Sequence, residues 1–220
     1  MFYLSLLFCC QECFSLKYTN MSCEGGAELP DCFPGLLDQM GTSIFDTLFA
    51  PQKGGITWIE FVRGYIRCCG RMSASSLLNI LFRVLALAAE RGGCPLNLNF
   101  DSNEVDSKIS GSISPKDLGV VLWVCWILSW NSRKFKQATE SNVANLPDLN
   151  PLVLSAVVSC NDKDIDIDVW DSDVFKLNVG LNVGKIHMWV LRTVPNLADC
   201  FSQFINARLK SVAAPEVYAI

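Results

Sequence analysis

An all-α fold is predicted for this 220-residue chain, with a lobe of two paired helix–loop–helix units followed by a smaller helical subdomain. Three observations predict it. Apolar residues recur at three- and four-residue steps over long stretches. Glycine and proline clusters break that period between one stretch and the next. A short pattern, Gly-x-Ile-Ser/Thr-x-x-acid, occurs at matching places between helices, as GGITWIE at 54–60 and GSISPKD at 111–117.

The elements follow in order. Leu36, Leu37, Met40, Ile44 and Leu48 predict a first amphipathic helix over about 34–49, which Pro51, Gly54 and Gly55 stop. The chain restarts at Thr57, where Ile59, Val62 and Ile66 give the apolar stripe of a second helix ending near Gly70. Ser73 to Ser76 supply capping hydroxyls for a third, mostly buried helix, LLNILFRVLALAAE, and Gly92 and Gly93 end it. A fourth begins at Ser114-Pro115, with proline where its missing N–H costs nothing, and runs to Trp130. Its apolar core, 118–130, falls short of the ~20 residues that cross a bilayer, so a buried helix rather than a membrane span is expected.

The polar stretch 131–148 lacks an apolar period and reads as a linker. Beyond it lie LNPLVLSAVVSC, an acidic loop, GKIHMWVLRTV and, after Pro195, a last helix carrying Leu197, Cys200, Phe201, Phe204, Ile205 and Leu209. The expected organisation is an apolar, cysteine-containing N-terminal region at 1–29, a lobe at 30–131, a linker at 132–147, a second helical subdomain at 148–212 and a tail at 213–220.

Composition limits the function. A net charge of −4 and a pI near 5.0 offer no cationic footprint for nucleic acid. Eleven cysteines are too few for a disulfide scaffold of this length and odd in number, so reduced cysteines in a cytoplasmic protein are expected, Cys125 and Cys200 among them. Cys10 and Cys13 have zinc spacing, but no second pair completes four ligands. The start, MFYLSLLFCC, has no positively charged leader and no clean cleavage site; a signal peptide stays open as the alternative, and would make Asn20-Met21-Ser22 a usable glycosylation sequon.

The repeated pattern matches the second half of an EF-hand loop, which needs glycine at position 6, oxygen ligands at 1, 3 and 5, and a bidentate acid at 12. In the first loop, 49–60, Gly54, Ile56 and Glu60 fit, but Phe49, Pro51 and Lys53 occupy the ligand positions. A ring, an imide and a cation cannot replace three oxygens, so calcium is not expected there. The second loop, 106–117, offers Asp106, Ser110 and Asp117 as metal ligands, with Gly111 at position 6 and Ile113 at 8, but Lys108 stands at position 3. The cofactor expectation is therefore none, or weakly bound calcium. In a paired lobe, Ile56 and Ile113 should face one another in a short β-contact. The same residues, Thr57 with Glu60 and Ser114 with Asp117, are also capping boxes that any soluble helix can carry. A third acidic stretch aligns Asp162, Asp164, Asp166 and Asp173 with ligand positions but puts β-branched Ile167 at the turn, and reads better as a solvated loop; GKIHMWV at 184–190 keeps Gly-x-Ile without carboxylates.

On IFDTLFAPQKGGITWIEFVRGYIRCCGRMSASSLLNILFRVLALA and WVLRTVPNLADCFSQFINARL, the chain resembles the N-terminal EF-hand-like helical region of TLDc-domain proteins, particularly plant calcium-binding EF-hand members, over about 30–212. The resemblance implies a cytoplasmic regulatory or scaffolding module, with a C-terminal TLDc domain beyond Ile220 in a longer parent chain. The function expected is non-catalytic, through contacts with protein partners, with calcium binding weak or lost. A genuine calcium sensor is the alternative. A thiol-dependent enzyme using Cys200 and the lone histidine, His187, is the remote one, since no nucleophile elbow or phosphate-binding glycine loop accompanies them.

Overall fold

Leu36, Leu37, Met40, Ile44 and Leu48 form the buried face of the first helix, α1 (Phe33–Phe49), as their spacing requires. It belongs to a computed structural model that describes residues 14–16, 18–23, 28–49, 58–69, 73–94, 96, 111–134, 143–161 and 173–213. Those residues are mostly helical: α1, α2 (Trp58–Cys69), α3 (Ala74–Gly92), α4 (Pro115–Lys134), α5 (Asn150–Cys160), α6 (Val183–Thr193) and α7 (Asn196–Ala213). Four short strands join them, β1 (Thr19–Cys23), β2 (Ser112–Ile113), β3 (Val143–Leu146) and β4 (Leu181–Asn182).

Local chemistry sets the ends of α3. The Ser76 backbone N–H donates to Ser73 Oγ at 3.1 Å, and Gly93 closes the helix at φ 68°, a left-handed conformation that glycine adopts without strain. The next residue, Cys94, returns its N–H to Ala89 O at 2.8 Å, completing a Schellman turn. α1 and α3 pack directly, touching backbone to backbone where Gly35 meets Gly92: a Cβ on Gly92 would lie 2.6 Å from Gly35 C, and one on Gly35 2.8 Å from Gly92 O.

α2 turns opposite to expectation. Of the predicted stripe, Ile59 and Ile66 are exposed and Val62 is half-buried, while Gly64 is buried against the Phe49 ring. The aromatic end of α1 fits only where α2 has no side chain, so that contact fixes the helix's rotation.

α4 is the central element. Leu118, Val120, Val121, Leu122, Trp123, Val124, Cys125, Ile127 and Leu128 are all buried, as befits a helix that is apolar all round. α5, α7 and the 3₁₀ turn Val174–Lys176 pack on it. Trp123 donates its indole N–H to Pro147 O at 3.2 Å and meets Phe33 edge-on and Phe175 at a tilt. Among the described residues, no helix is long and apolar enough to cross a membrane.

The stretch expected to be a linker carries structure at both ends. α4 continues to Lys134 rather than stopping at Trp130, because its polar residues have partners: Asn131 Nδ2 donates to Ile127 O at 3.0 Å, and Arg208 of α7 donates to Asn131 Oδ1 at 3.4 Å while its guanidinium lies over the Phe204 ring. β3 pairs in parallel with β1, which falls inside the expected N-terminal region; Ser22 aligns with Asn145 and Cys23 with Leu146. One cluster of buried side chains runs from Phe14 to Ile205, across the expected boundary between the two subdomains.

Candidate docking groove

The loop contact expected between Ile56 and Ile113 can be followed only at Ile113, which lies in β2. β2 pairs antiparallel with β4, Ile113 opposite Leu181 and Ser112 opposite Asn182, and the Val183 N–H donates to Gly111 O at 3.1 Å. Ile56 lies outside the described residues. Ile113 and Leu181 are fully buried, and each immediately precedes a helix cap. On one side Asp117 N–H donates to Ser114 Oγ at 3.0 Å and Ser114 Oγ donates back to Asp117 Oδ2 at 2.8 Å, the predicted capping box. On the other, Lys185 N–H donates to Asn182 Oδ1 at 3.1 Å. Gly111, placed at the turn position by the sequence, has φ 133°.

The ladder thus joins the α3–α4 connection to the α5–α6 connection. Leu181 does not show in the Gly-x-Ile pattern because Val179, not glycine, stands two residues before it; the pattern falls instead on Gly184 and Ile186, five residues later. A branched residue followed by a capping side chain, Leu181-Asn182 like Ile113-Ser114, is the signal that finds it.

Of the three predicted ligands, Asp106 and Ser110 lie outside the described residues, as does Cys10-Gln-Glu-Cys13. Asp117 is described, and its carboxylate accepts from the Ser114 hydroxyl. Among the described residues no three His, Cys, Asp or Glu side chains cluster closely enough to hold a metal ion. Cys200 and His187 sit on different helices: the Cys200 thiol donates to Leu197 O at 2.9 Å and meets Cys125 of α4, while His187 on α6 has its pKa lowered by burial.

An open cleft is built on the α5–α6 pair. Proline at the first turn and the Asp148 carboxylate, which accepts from Asn150 N–H at 2.9 Å, start α5. Val153, Ala156, Val157 and Cys160 face the core, leaving Val158 62% exposed. On α6, Val183, Ile186, Trp189 and Val190 face inward, and Met188 is 49% exposed. Trp189 bridges the helices through its indole N–H to Ser155 Oγ at 3.3 Å. Beside this bridge lies a cleft of ≈ 550 Å³, lined by Ser159 of α5 and by Lys185, Met188, Trp189, Arg192 and Thr193 of α6. Lys185, Met188 and Arg192 follow at steps of three and four, so one helical face presents an apolar side chain between two cations. Among the described residues no carboxylate lines the cleft, although the chain as a whole carries −4.

No family model, curated protein or solved structure matches the chain.

Proposed function

We propose that this chain is a non-catalytic regulatory or scaffolding module whose α5–α6 groove receives an acidic amphipathic helix of a partner protein. Its frame is an EF-hand-like pair made of the helix–loop–helix units 74–134 and 150–193. The Ile113–Leu181 contact between capped helix starts supports that frame, since paired EF-hand loops meet through short β-contacts.

The observation that carries the docking role is Met188, half exposed between Lys185 and Arg192 at the mouth of the cleft. Flexible methionine at an open groove adapts to apolar side chains of varied shape, and helix-in-groove recognition reads them at three- and four-residue steps. Flanking cations favour carboxylates on the incoming helix and set its approach.

The test is fluorescence anisotropy with a labelled helical peptide bearing leucine at three- and four-residue steps and glutamate elsewhere, against the same peptide with lysine for glutamate. The acidic peptide binds, the basic one does not, and Met188→Asp combined with Arg192→Glu abolishes binding. Equal binding of both peptides, or binding unaffected by the double substitution, overturns the reading. Calorimetry with calcium separates the module from a sensor: no binding at 49–60, and at best high-micromolar to millimolar affinity at 106–117. Submicromolar binding abolished by Glu60→Gln would favour the sensor.

A further inference from the structure

Two pairs of thiols are brought together from distant parts of the chain, Cys32 with Cys94 and Cys125 with Cys200, and all four are free. They differ in surroundings. Cys125 and Cys200 are buried between α4 and α7, and Cys200 gives its S–H to a backbone carbonyl. Cys32 is half-buried, at the edge of the α1–α3 crossing, with Cys94 behind it.

Backbone chemistry pins Cys32 and Cys94 in place. The Cys32 carbonyl takes the first helical hydrogen bond of α1, from Leu36 N at 3.0 Å. Cys94 is held by its own N–H at the Schellman turn of α3. Between them the contact of Gly35 with Gly92 brings the two backbones closer than any side chain would allow. The thiols meet in hydrogen-bonding contact one turn beyond that crossing. Both stems are short and both backbones are held, so the two sulfurs stay within reach of one another.

We propose that Cys32 and Cys94 form a peroxide-oxidisable dithiol, closing to a disulfide that fastens the start of α1 to the end of α3. The Cys32 sulfur, as thiolate, attacks one oxygen of hydrogen peroxide. The O–O bond breaks, the sulfur is oxidised to a sulfenic acid, and the other oxygen leaves as water with the proton that the thiol gave up. The Cys94 sulfur then displaces the sulfenic oxygen from Cys32; that oxygen departs as a second water, carrying the Cys94 proton. Two thiols and one peroxide become one disulfide and two waters. Cys32 takes the first step because it is the more accessible sulfur. Burial, with the neighbouring Cys32, pushes the Cys94 thiol up to about 12 and leaves it little thiolate, so peroxide meets Cys32 first; Cys94 enters only at the second step, where contact with its partner replaces intrinsic reactivity.

Oxidation of the reduced full chain with hydrogen peroxide, followed by alkylation and non-reducing peptide mapping, tests this. The expected product is a Cys32–Cys94 cross-link lighter by about two mass units and reversed by dithiothreitol, with Cys125 and Cys200 still alkylated as free thiols after unfolding. Tandem spectra must separate Cys32 from Cys23, which shares its tryptic peptide. The oxidised chain melts about 5 °C or more above the reduced one, and Cys94→Ala removes the gain. Cys32 joined to another cysteine, Cys32 carried on to sulfinic acid without a cross-link, or Cys125–Cys200 closing first overturns the proposal. The mapping uses the unmodified sequence and so decides even where a variant fails to fold.

Discussion

Truncating the two residues that meet between β2 and β4 asks whether the α3–α4 and α5–α6 connections are energetically one unit. Ile113 and Leu181 are 1% and 0% exposed, so Ile113→Ala and Leu181→Ala each remove a fully buried branched side chain and leave a cavity. Such changes cost 2–5 kcal/mol, and about 3 kcal/mol is expected for each here, because capped helices on either side limit collapse into the space. Residues directly opposite on an antiparallel pair have Cβ atoms about 5 Å apart and share neighbours. Once one is gone, the other has already lost part of its packing. The double variant should therefore cost about 5 kcal/mol rather than about 6, a coupling of about 1 kcal/mol. Equilibrium urea unfolding followed by tryptophan fluorescence measures all four corners of the cycle, with an unchanged slope required for each variant. Additivity within about 0.3 kcal/mol would refute the shared contact and, with it, the frame of the proposed function.

Three further outcomes follow from local features. Ser114→Ala removes both bonds of the capping box at α4 and should lower stability by about 1 kcal/mol in urea unfolding, whereas Ser114→Asp should restore much of it. Gly92→Ala sets a helix preference of roughly 1 kcal/mol against a Cβ 2.6 Å from Gly35 backbone; the immovable neighbour wins, and a net loss of about 1–2 kcal/mol with slower Cys32–Cys94 cross-linking is expected, while a stabilised variant would show that α1 and α3 do not touch there. Burial holds the His187 pKa below its ordinary value, so as pH falls the unfolded chain takes up that proton before the folded one does. Stability from this group is full above about pH 6.5 and is lost as pH falls through the lower folded value; His187→Gln should flatten the decline in melting temperature between pH 7 and pH 5, and an unaltered profile would refute its part in it.

Much of the helical pattern was legible in the sequence because capping is chemistry between near neighbours. Ser73, Gly93 and the Ser114–Asp117 box stand where their side chains predict, and α1 and α3 bury the faces that their spacing marks. What was not legible depends on partners far along the chain. Asn131 reads as the start of a linker until Arg208, on another helix, answers its side-chain carbonyl. The stripe on α2 reads as core until the Phe49 ring claims the side with Gly64. The pairing of Ile113 with Leu181 was not legible, since backbone pairing demands only an extended residue before a capped helix and not the glycine that the repeated pattern carries. The cleft on α5–α6 was least legible of all: Met188 belongs to a helix whose periodicity does not say which apolar residues stay uncovered.

The parallel pairing of β1 with β3 sets an order of events. Ser22 Oγ donates to Asn145 Oδ1 across 123 positions of sequence, with three helices threaded between them and a fourth following β2. During synthesis, strand β1 emerges before its partner and must wait, its edge unpaired, until all of α4 and then β3 have left the ribosome. Closure of this pairing therefore waits on β3, and a pause in translation shortly before residue 143 would prolong the interval in which that open edge is available to other molecules.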